Sequence, residues 1–329
     1  MESSTKNKQS FEKIQNMVLR AFGKDTYVDK SSITEMEGGF CNAVYEMKGK
    51  DRNVILKIGP APETEMMSYE KELIETEVKA IQLIRERTKL SIPEVLYYDP
   101  SKTLCNSDYF FMTKIEGKCL ENEKNKMPKE SYGKLKEELG HWNRTMNDVE
   151  GTTFKIFSDD KEFTYNSDFI NYLFQQLLED ARKKHTDLKY ITYDELFEIV
   201  QDAKEYLDDV KQPHFVHWDL WEGNIFIKED RVEGIIDFER ALWGDPLMEF
   251  ELSFEENLDP QFIKGYGRNF KSRSEEIRRL IYTLYRELGM IVESDYRNYE
   301  DNGAYRRWSV EVFGKTLERY RNYLLQLNQ

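Results

Sequence analysis

The spacing of apolar positions divides the chain into a strand-rich first third and a helix-rich remainder. Residues 9–22 carry Phe11, Ile14, Val18, Leu19 and Phe22 at helical intervals and predict a short amphipathic helix. Three strand-like segments follow, Ser32–Glu37, Ala43–Lys48 and Asn53–Ile58, with Gly38-Gly39 and Gly49-Lys50 at the bends. From Met66 to Thr88 the period lengthens to that of a helix, with Leu73, Ala80, Ile81 and Ile84 along its stripe. Glu94–Tyr98 and Tyr109–Ile115 read as two more strands. These segments predict a small antiparallel sheet accompanied by one long helix.

Glu116-Gly117 marks an expected hinge, which divides the chain into lobes at residues 1–115 and 116–329. The charged, apolar-poor stretch Glu121–Lys129 predicts an exposed loop. Beyond it, helical periodicity runs over about 129–148, 167–185, 193–210, 245–256, 259–270, 274–293 and 304–327. Only Phe215–Val216, Ile225–Ile227 and Val232–Ile236 read as strands there. The chain has no internal repeat and no long linker. Its 329 residues strain the size of one core, so an α+β protein of two lobes sharing a cleft is expected.

Composition narrows the partners. Charged residues make up 33 % and apolar residues 39 %, which suits a folded chain with well-solvated helices. A formal charge of -14 works against nucleic acid, which needs a basic stripe. Acidity can steer a cationic small molecule inward, although solubility alone also accounts for it. Cys41, Cys105 and Cys119 form neither an even framework nor a C-x-x-C pair, so no disulfide or structural zinc is expected. Neither a signal peptide nor a membrane helix can be read from the chain, and a cytoplasmic location is expected.

The densest chemistry lies in His217-Trp-Asp219-Leu-Trp-Glu-Gly-Asn224, followed by Ile225-Phe226-Ile227 and then Gly234-Ile-Ile-Asp237-Phe238-Glu239. Taken singly, Asp219 and Asn224 suit turn caps and Asp237 a strand end. Taken together, with two apolar strands between them, they are what phosphoryl transfer requires: one carboxylate to orient an attacking hydroxyl, and an amide and a second carboxylate to hold Mg²⁺ against nucleotide phosphates.

This segment resembles the catalytic and metal-binding loops of the aminoglycoside phosphotransferase and choline kinase superfamily, a branch of the protein-kinase-like fold. The pattern H-x-D-x-x-x-x-N followed by I-D-[FWY] is met at His217, Asp219, Asn224, Asp237 and Phe238, and Gly244-Asp245-Pro246 is similar to the family's G-D-P turn. The Asp-Leu-Trp-x-Gly-Asn wording also resembles that of fructosamine kinases. The resemblance implies ATP or GTP as phosphate donor, Mg²⁺ as cofactor, Asp219 as catalytic carboxylate and Asn224 with Asp237 as metal ligands. Glu37-Gly38-Gly39-Phe40 resembles the family's short glycine loop, where Gly38 and Gly39 would cover phosphate oxygens. Lys57, in Val54-Ile-Leu-Lys-Ile58, takes the place of the phosphate-binding lysine. Its implied partner is a helical glutamate, and Glu77 suits this by its place on the apolar stripe, with Glu70 and Glu72 as rivals. Phe111–Gly117 resembles the inter-lobe segment whose backbone receives the base, here at Thr113 and Ile115.

Other residues near these motifs read differently. His217 is expected to brace the catalytic loop, and Asp245 before Pro246 to cap a helix. Trp218, Trp221 and Trp243 suit either an acceptor pocket or core packing. Met146-Asn147 stands where relatives often carry Leu-His. The implied activity is transfer of a γ-phosphate to a hydroxyl of an aminoglycoside or similar amine-bearing acceptor; a sugar, glycated amine or choline-like alcohol is the alternative acceptor. A silent nucleotide-binding module is disfavoured by the presence of Lys57, Asp219, Asn224 and Asp237. A protein kinase is disfavoured by the short glycine loop and the absence of D-F-G and A-P-E.

Overall fold

The computed structural model describes residues 6–327 apart from 24, 25, 27, 37–41, 50–52, 255, 298 and 300–302. Ser10 starts the first helix, α1 (Phe11–Phe22), by accepting a hydrogen bond from the Lys13 N–H. Strands β1 (Ile33–Glu35), β2 (Ala43–Met47) and β3 (Val54–Ile58), helix α2 (Leu73–Arg87), and strands β4 (Val95–Asp99) and β5 (Tyr109–Thr113) follow. The strands form one antiparallel sheet in the order β1-β2-β3-β5-β4. Because side chains alternate across a strand, Leu56 and Phe111 face Ile14, Met17 and Val18 of α1, while Ile55 and Phe110 face Val78 and Ile81 of α2.

The remainder of the chain is mainly helical. Strand β6 (Lys118–Cys119) and helices α3 (Leu120–Glu123) and α4 (Lys129–Asn147) lead to β7 (Lys155–Ile156), α5 (Asn166–Lys184), α6 (Tyr193–Asp202) and α7 (Lys204–Leu207). Then come β8 (His214–Val216), β9 (Ile225–Lys228), β10 (Arg231–Ile235), β11 (Leu242–Gly244), α8 (Phe250–Ser253), α9 (Pro260–Tyr266), α10 (Arg273–Arg297) and α11 (Ala304–Leu327). The hairpin β9–β10 pairs with β6, and β11 lies between β7 and β8. Helix α10 is the spine of this part and buries Ile277, Ile281, Leu284, Leu288 and Ile291. Helices α4 and α9 cross so closely that a Cβ at Gly140 or Gly265 would meet the backbone of Phe262 or Glu137. No described helix is long and apolar enough to cross a membrane.

Three expected elements differ, each for a tertiary reason. The helix read from Met66 begins only at Leu73, because Glu72 is left-handed at φ 51° and the segment before it is pinned elsewhere. Ser68 donates to Asp180 through its N–H at 2.6 Å and its hydroxyl at 2.8 Å, and the Glu70 carboxylate meets buried Arg297. The helix expected over 245–256 breaks into a 3-10 turn at Pro246–Met248 and α8, because extended Glu249 turns its carboxylate to other work described below. The stretch Glu121–Lys129, expected as an exposed loop, carries most of α3 and a 3-10 turn at Lys124–Lys126, held by the Lys124–Glu222 ion pair at 3.3 Å. A smaller correction concerns 193–210, where Ala203 at ψ 2° separates α6 from α7.

Candidate active site

The segment after β8 is held from beneath. Glu249 accepts the N–H groups of His217 at 2.9 Å and Trp218 at 3.1 Å, and the Asn147 amide donates to Glu249 at 2.9 Å and to the Phe215 carbonyl at 2.8 Å. Asn147 thereby ties the end of α4 to β8 and to Glu249. The Tyr266 hydroxyl donates to the Asn147 side-chain oxygen at 2.9 Å. His217 is buried; its Nδ1 accepts the Asp219 N–H at 3.3 Å, which leaves Nε2–H to donate to the Ile236 carbonyl at 3.1 Å. Both ring nitrogens are used in the neutral form, and burial lowers the imidazole pKa. His217 therefore braces the two loops against each other.

Asp219 lies in the wall of the cleft, and Asn224 is tied to it by Nδ2 bonds to its carbonyl at 2.8 Å and its carboxylate at 3.2 Å. Burial raises the Asp219 pKa, while Arg240 and Arg286 oppose the shift and Asp237 adds to it. Trp218 and Asp237 hold left-handed backbone at φ 67° and 68°. Such conformations are costly for non-glycine residues and collect at sites where side-chain direction matters.

Strand β3 and helix α2 bring the other half. Lys57, only 6 % exposed, donates to Glu77 at 2.6 Å and to Asp237 at 2.6 Å, and lies 2.9 Å from Glu239. The rivals are placed elsewhere: Glu70 meets Arg297, and Glu72 precedes α2 as its left-handed N-cap residue. Burial alone would lower the lysine pKa, yet the charges of Asp237, Glu239 and Glu77 hold it well above the usual value. Burial pushes Glu77 and Glu239 up, whereas for Asp237 the attraction of Lys57 outweighs burial and lowers it. Three carboxylates around one ammonium leave excess negative charge, an arrangement suited to a further cation.

These groups line a cleft of about 560 Å³, within the range of small-ligand sites. Its apolar walls come from Met36, Val44, Ile55, Met112, Phe226 and Ile236. Thr113 and Ile115 both line it; the Thr113 N–H already donates to the Glu94 carbonyl at 3.0 Å, while the Ile115 N–H has no acceptor among the described residues. Gly38 and Gly39 lie outside the described residues. Of the tryptophans, Trp221 lines the cleft, Trp218 stacks on Tyr285 at 5.5 Å, and Trp243 stacks on Phe157 at 5.5 Å in the core. Asp245 caps the turn at Pro246 and takes Arg278 at 2.8 Å, a structural role. Sequence reading missed Glu239 and Arg240 as cleft residues; their only signal was adjacency to Asp237.

Residues 32–281 match the phosphotransferase enzyme family. No curated protein matches the chain. Among solved structures, a protein provisionally assigned as fructosamine-3-kinase from Haemophilus somnus 129PT aligns with TM-score 0.68 and 15 % identity, over 94 % of this chain and 97 % of the other. The aminoglycoside phosphotransferase APH(2")-IIIa in complex with GDP and kanamycin aligns with TM-score 0.65 and 16 % identity, over 93 % and 98 %. APH(2")-IIa with streptomycin and ATP aligns with TM-score 0.60 and 16 % identity, over 97 % of each chain. At these identities the structures share the kinase-like fold. With most of the chain covered by the family match, the protein belongs to the phosphotransferase enzyme family and is a kinase.

Proposed function

We propose that the protein transfers the γ-phosphate of ATP or GTP to a hydroxyl of a small amine-bearing acceptor, an aminoglycoside or a compound of that kind. One observation carries the reading: Lys57 and Asp237, 180 residues apart, meet in the cleft that Asp219 and Asn224 also line. In this reading Lys57 meets phosphate oxygens and Glu77 fixes the lysine. Backbone at Thr113 and Ile115 receives the base, and Gly38 and Gly39 cover the phosphates. Asn224 and Asp237 hold Mg²⁺. Asn224 and Asp237 offer the hard oxygen donors that cation takes, and carboxylate oxygens of Glu77 and Glu239 lie within 4.8 Å of that of Asp237. Bound Mg²⁺ would supply the positive charge that offsets the phosphates.

The protein's own part is positioning. The acceptor oxygen bonds to the γ-phosphorus as the bond from that phosphorus to the β,γ-bridging oxygen breaks. The nucleoside diphosphate leaves with the electron pair, and the hydroxyl proton passes to Asp219. A raised carboxylate pKa makes Asp219 a better proton acceptor. The same reading puts the division between lobes at residues 115 and 116. Gly117 follows at φ 100°, where a Cβ would collide with the Ile227 carbonyl, so the chain can pass β9 only as glycine. It also places the protein in the cytoplasm, with its nucleotide donor.

A metabolite kinase for a sugar, glycated amine or choline-like alcohol is the second reading, supported by the likeness to the provisionally assigned fructosamine-3-kinase. Initial rates of nucleoside diphosphate release from MgATP and MgGTP, over aminoglycosides, sugars and amino alcohols, test both. Acceptor-dependent release with one class is the expected result. Absence of both acceptor-dependent release and Mg²⁺-dependent nucleotide binding would overturn the reading.

A further inference from the structure

Among the described residues, the cleft wall carries an arginine without a hydrogen-bond acceptor. Arg240, three residues after Asp237, stands beside Asp219 and Asp237. Its guanidinium lies 5.2 Å from the centre of the Tyr69 ring and 3.8 Å from Glu293 Oε1. The second distance is an ion pair too long for a hydrogen bond. Among the described residues Arg240 donates no hydrogen bond, although its side chain is only 28 % exposed. Other arginines here each donate at least once: Arg278 Nε to Asp245 at 2.8 Å, Arg286 Nη2 to the Met248 carbonyl at 2.6 Å, and Arg297 to Glu70. Five guanidinium donors in a fixed fork, left without acceptors in a partly desolvated wall, match a planar oxyanion.

Glu293 supplies the complementary observation. Its residue is 7 % exposed, and its Oε1 is buried with no hydrogen-bond partner among the described residues. Among the described residues, a guanidinium with open donors thus stands next to a carboxylate oxygen without a donor, on a carboxylate that also bonds to Tyr299. Tyr69 and Glu293 do not line the nucleotide cleft, whereas Arg240 borders both it and them. Tyr305, from the start of α11, lies within electrostatic reach of Glu293, Arg240 and Asp219 and completes the surround. In the kinase reading the phosphates already have Lys57, which leaves this pair for the acceptor.

We infer that Arg240 and Glu293 bind the acceptor, and that the acceptor is zwitterionic, with a carboxylate for Arg240, an amine for Glu293, and the receiving hydroxyl a few bonds away at Asp219. The class is hydroxy amino acids and amino-sugar acids. A polyamine without an oxyanion would meet Arg240 as a like charge. The inference rests on the kinase reading above; among its small amine-bearing acceptors it keeps those that also carry an oxyanion and sets the aminoglycosides aside.

The test uses the full chain, MgATP, and matched compounds that differ by a carboxylate: serine against ethanolamine, homoserine against 3-aminopropan-1-ol, glucosaminic acid against glucosamine. At least one acid is expected to exceed its partner about tenfold or more in kcat/KM, the scale of one charged contact. Arg240→Gln should erase that preference by raising KM for the acid, with MgATP affinity unchanged. Arg240→Lys, which keeps the charge without the fork, should retain the fold and part of the preference. Glu293→Gln should raise KM for both members of the pair. Equal or faster transfer to the alcohols, transfer confined to polyamines such as kanamycin, or no transfer to any acid would overturn the inference. So would loss of MgATP affinity in Arg240→Gln, which would give the arginine to the phosphates. If the wild type binds MgATP under any of these contrary results, only this inference falls; if it does not bind, the kinase reading falls with it.

Discussion

A single lysine shows how much of the site rests on charge balance. Lys57 is almost fully buried, yet three carboxylates surround it, so its removal leaves Glu77, Asp237 and Glu239 facing one another. Breaking such a cluster costs several kcal/mol in a closed interior, but this one opens on a cleft where water and a cation can enter. Lys57→Met is therefore expected to fold, with a far-UV spectrum like that of the wild type, and to lose turnover by at least tenfold. A folded variant of full activity would assign phosphate binding to another lysine. Asp237 makes the complementary prediction. Asp237→Ala should weaken nucleotide binding in the presence of Mg²⁺ by tenfold or more and leave Mg²⁺-free binding nearly unchanged; Asn224→Ala should do the same less severely. Calorimetric titration with and without Mg²⁺ separates the two conditions, and equal affinities for wild type and Asp237→Ala would remove Asp237 from the metal.

Between elements, α10 and α11 enclose a carboxyl the site does not use. Glu287 accepts from the Thr316 hydroxyl at 3.0 Å through one oxygen, and its other oxygen is buried without a partner. Burial, opposed by Thr316 and by Arg319, pushes its pKa from 4.5 up to about 8. The folded state thus holds a proton that the unfolded state releases. This contribution is fully present below about pH 4.5 and is lost as pH rises through about 8. Glu287→Gln removes the titration, so near pH 5 the variant should melt close to the wild type. At pH 9 it should be more stable by up to about 5 kcal/mol, or roughly 7 °C in Tm. Parallel pH profiles would mean that Glu287 is ionised and paired. Most elements were legible from the chain, because the stripe through Leu73, Ala80 and Ile84 and the Lys57 strand follow their own periods. What failed was decided from outside the element. Met66 and Met67 continue a helical pattern, but Asp180 and Arg297 hold that segment open. Glu249 looks like any helical glutamate until the His217 and Trp218 N–H groups need its carboxylate. Strands of two or three residues, such as β6 and β11, are too short to show a period.

At the scale of the whole molecule, the site exists only because distant segments converge. The sheet brings Lys57, α2 brings Glu77, and the β9–β10 hairpin separates Asn224 from Asp237, so that each reaches the cleft beside Asp219. The family motif made Lys57, Glu77, Asp219, Asn224 and Asp237 readable in advance. Tyr69, Arg240 and Glu293 were not, since they meet only through the pinned segment before α2 and the length of α10. In the proposed reaction this assembly moves a phosphate while Asp219 receives the acceptor's proton. Asp219→Asn keeps the volume and exchanges a proton-accepting charge for a weakly basic amide. Single-turnover transfer from MgATP to the best acceptor of the panels above, measured for wild type and variant, isolates that proton transfer. A loss of about 10²–10⁴-fold in the transfer rate, with nucleotide affinity nearly intact, is the predicted result. Transfer at the wild-type rate would contradict it.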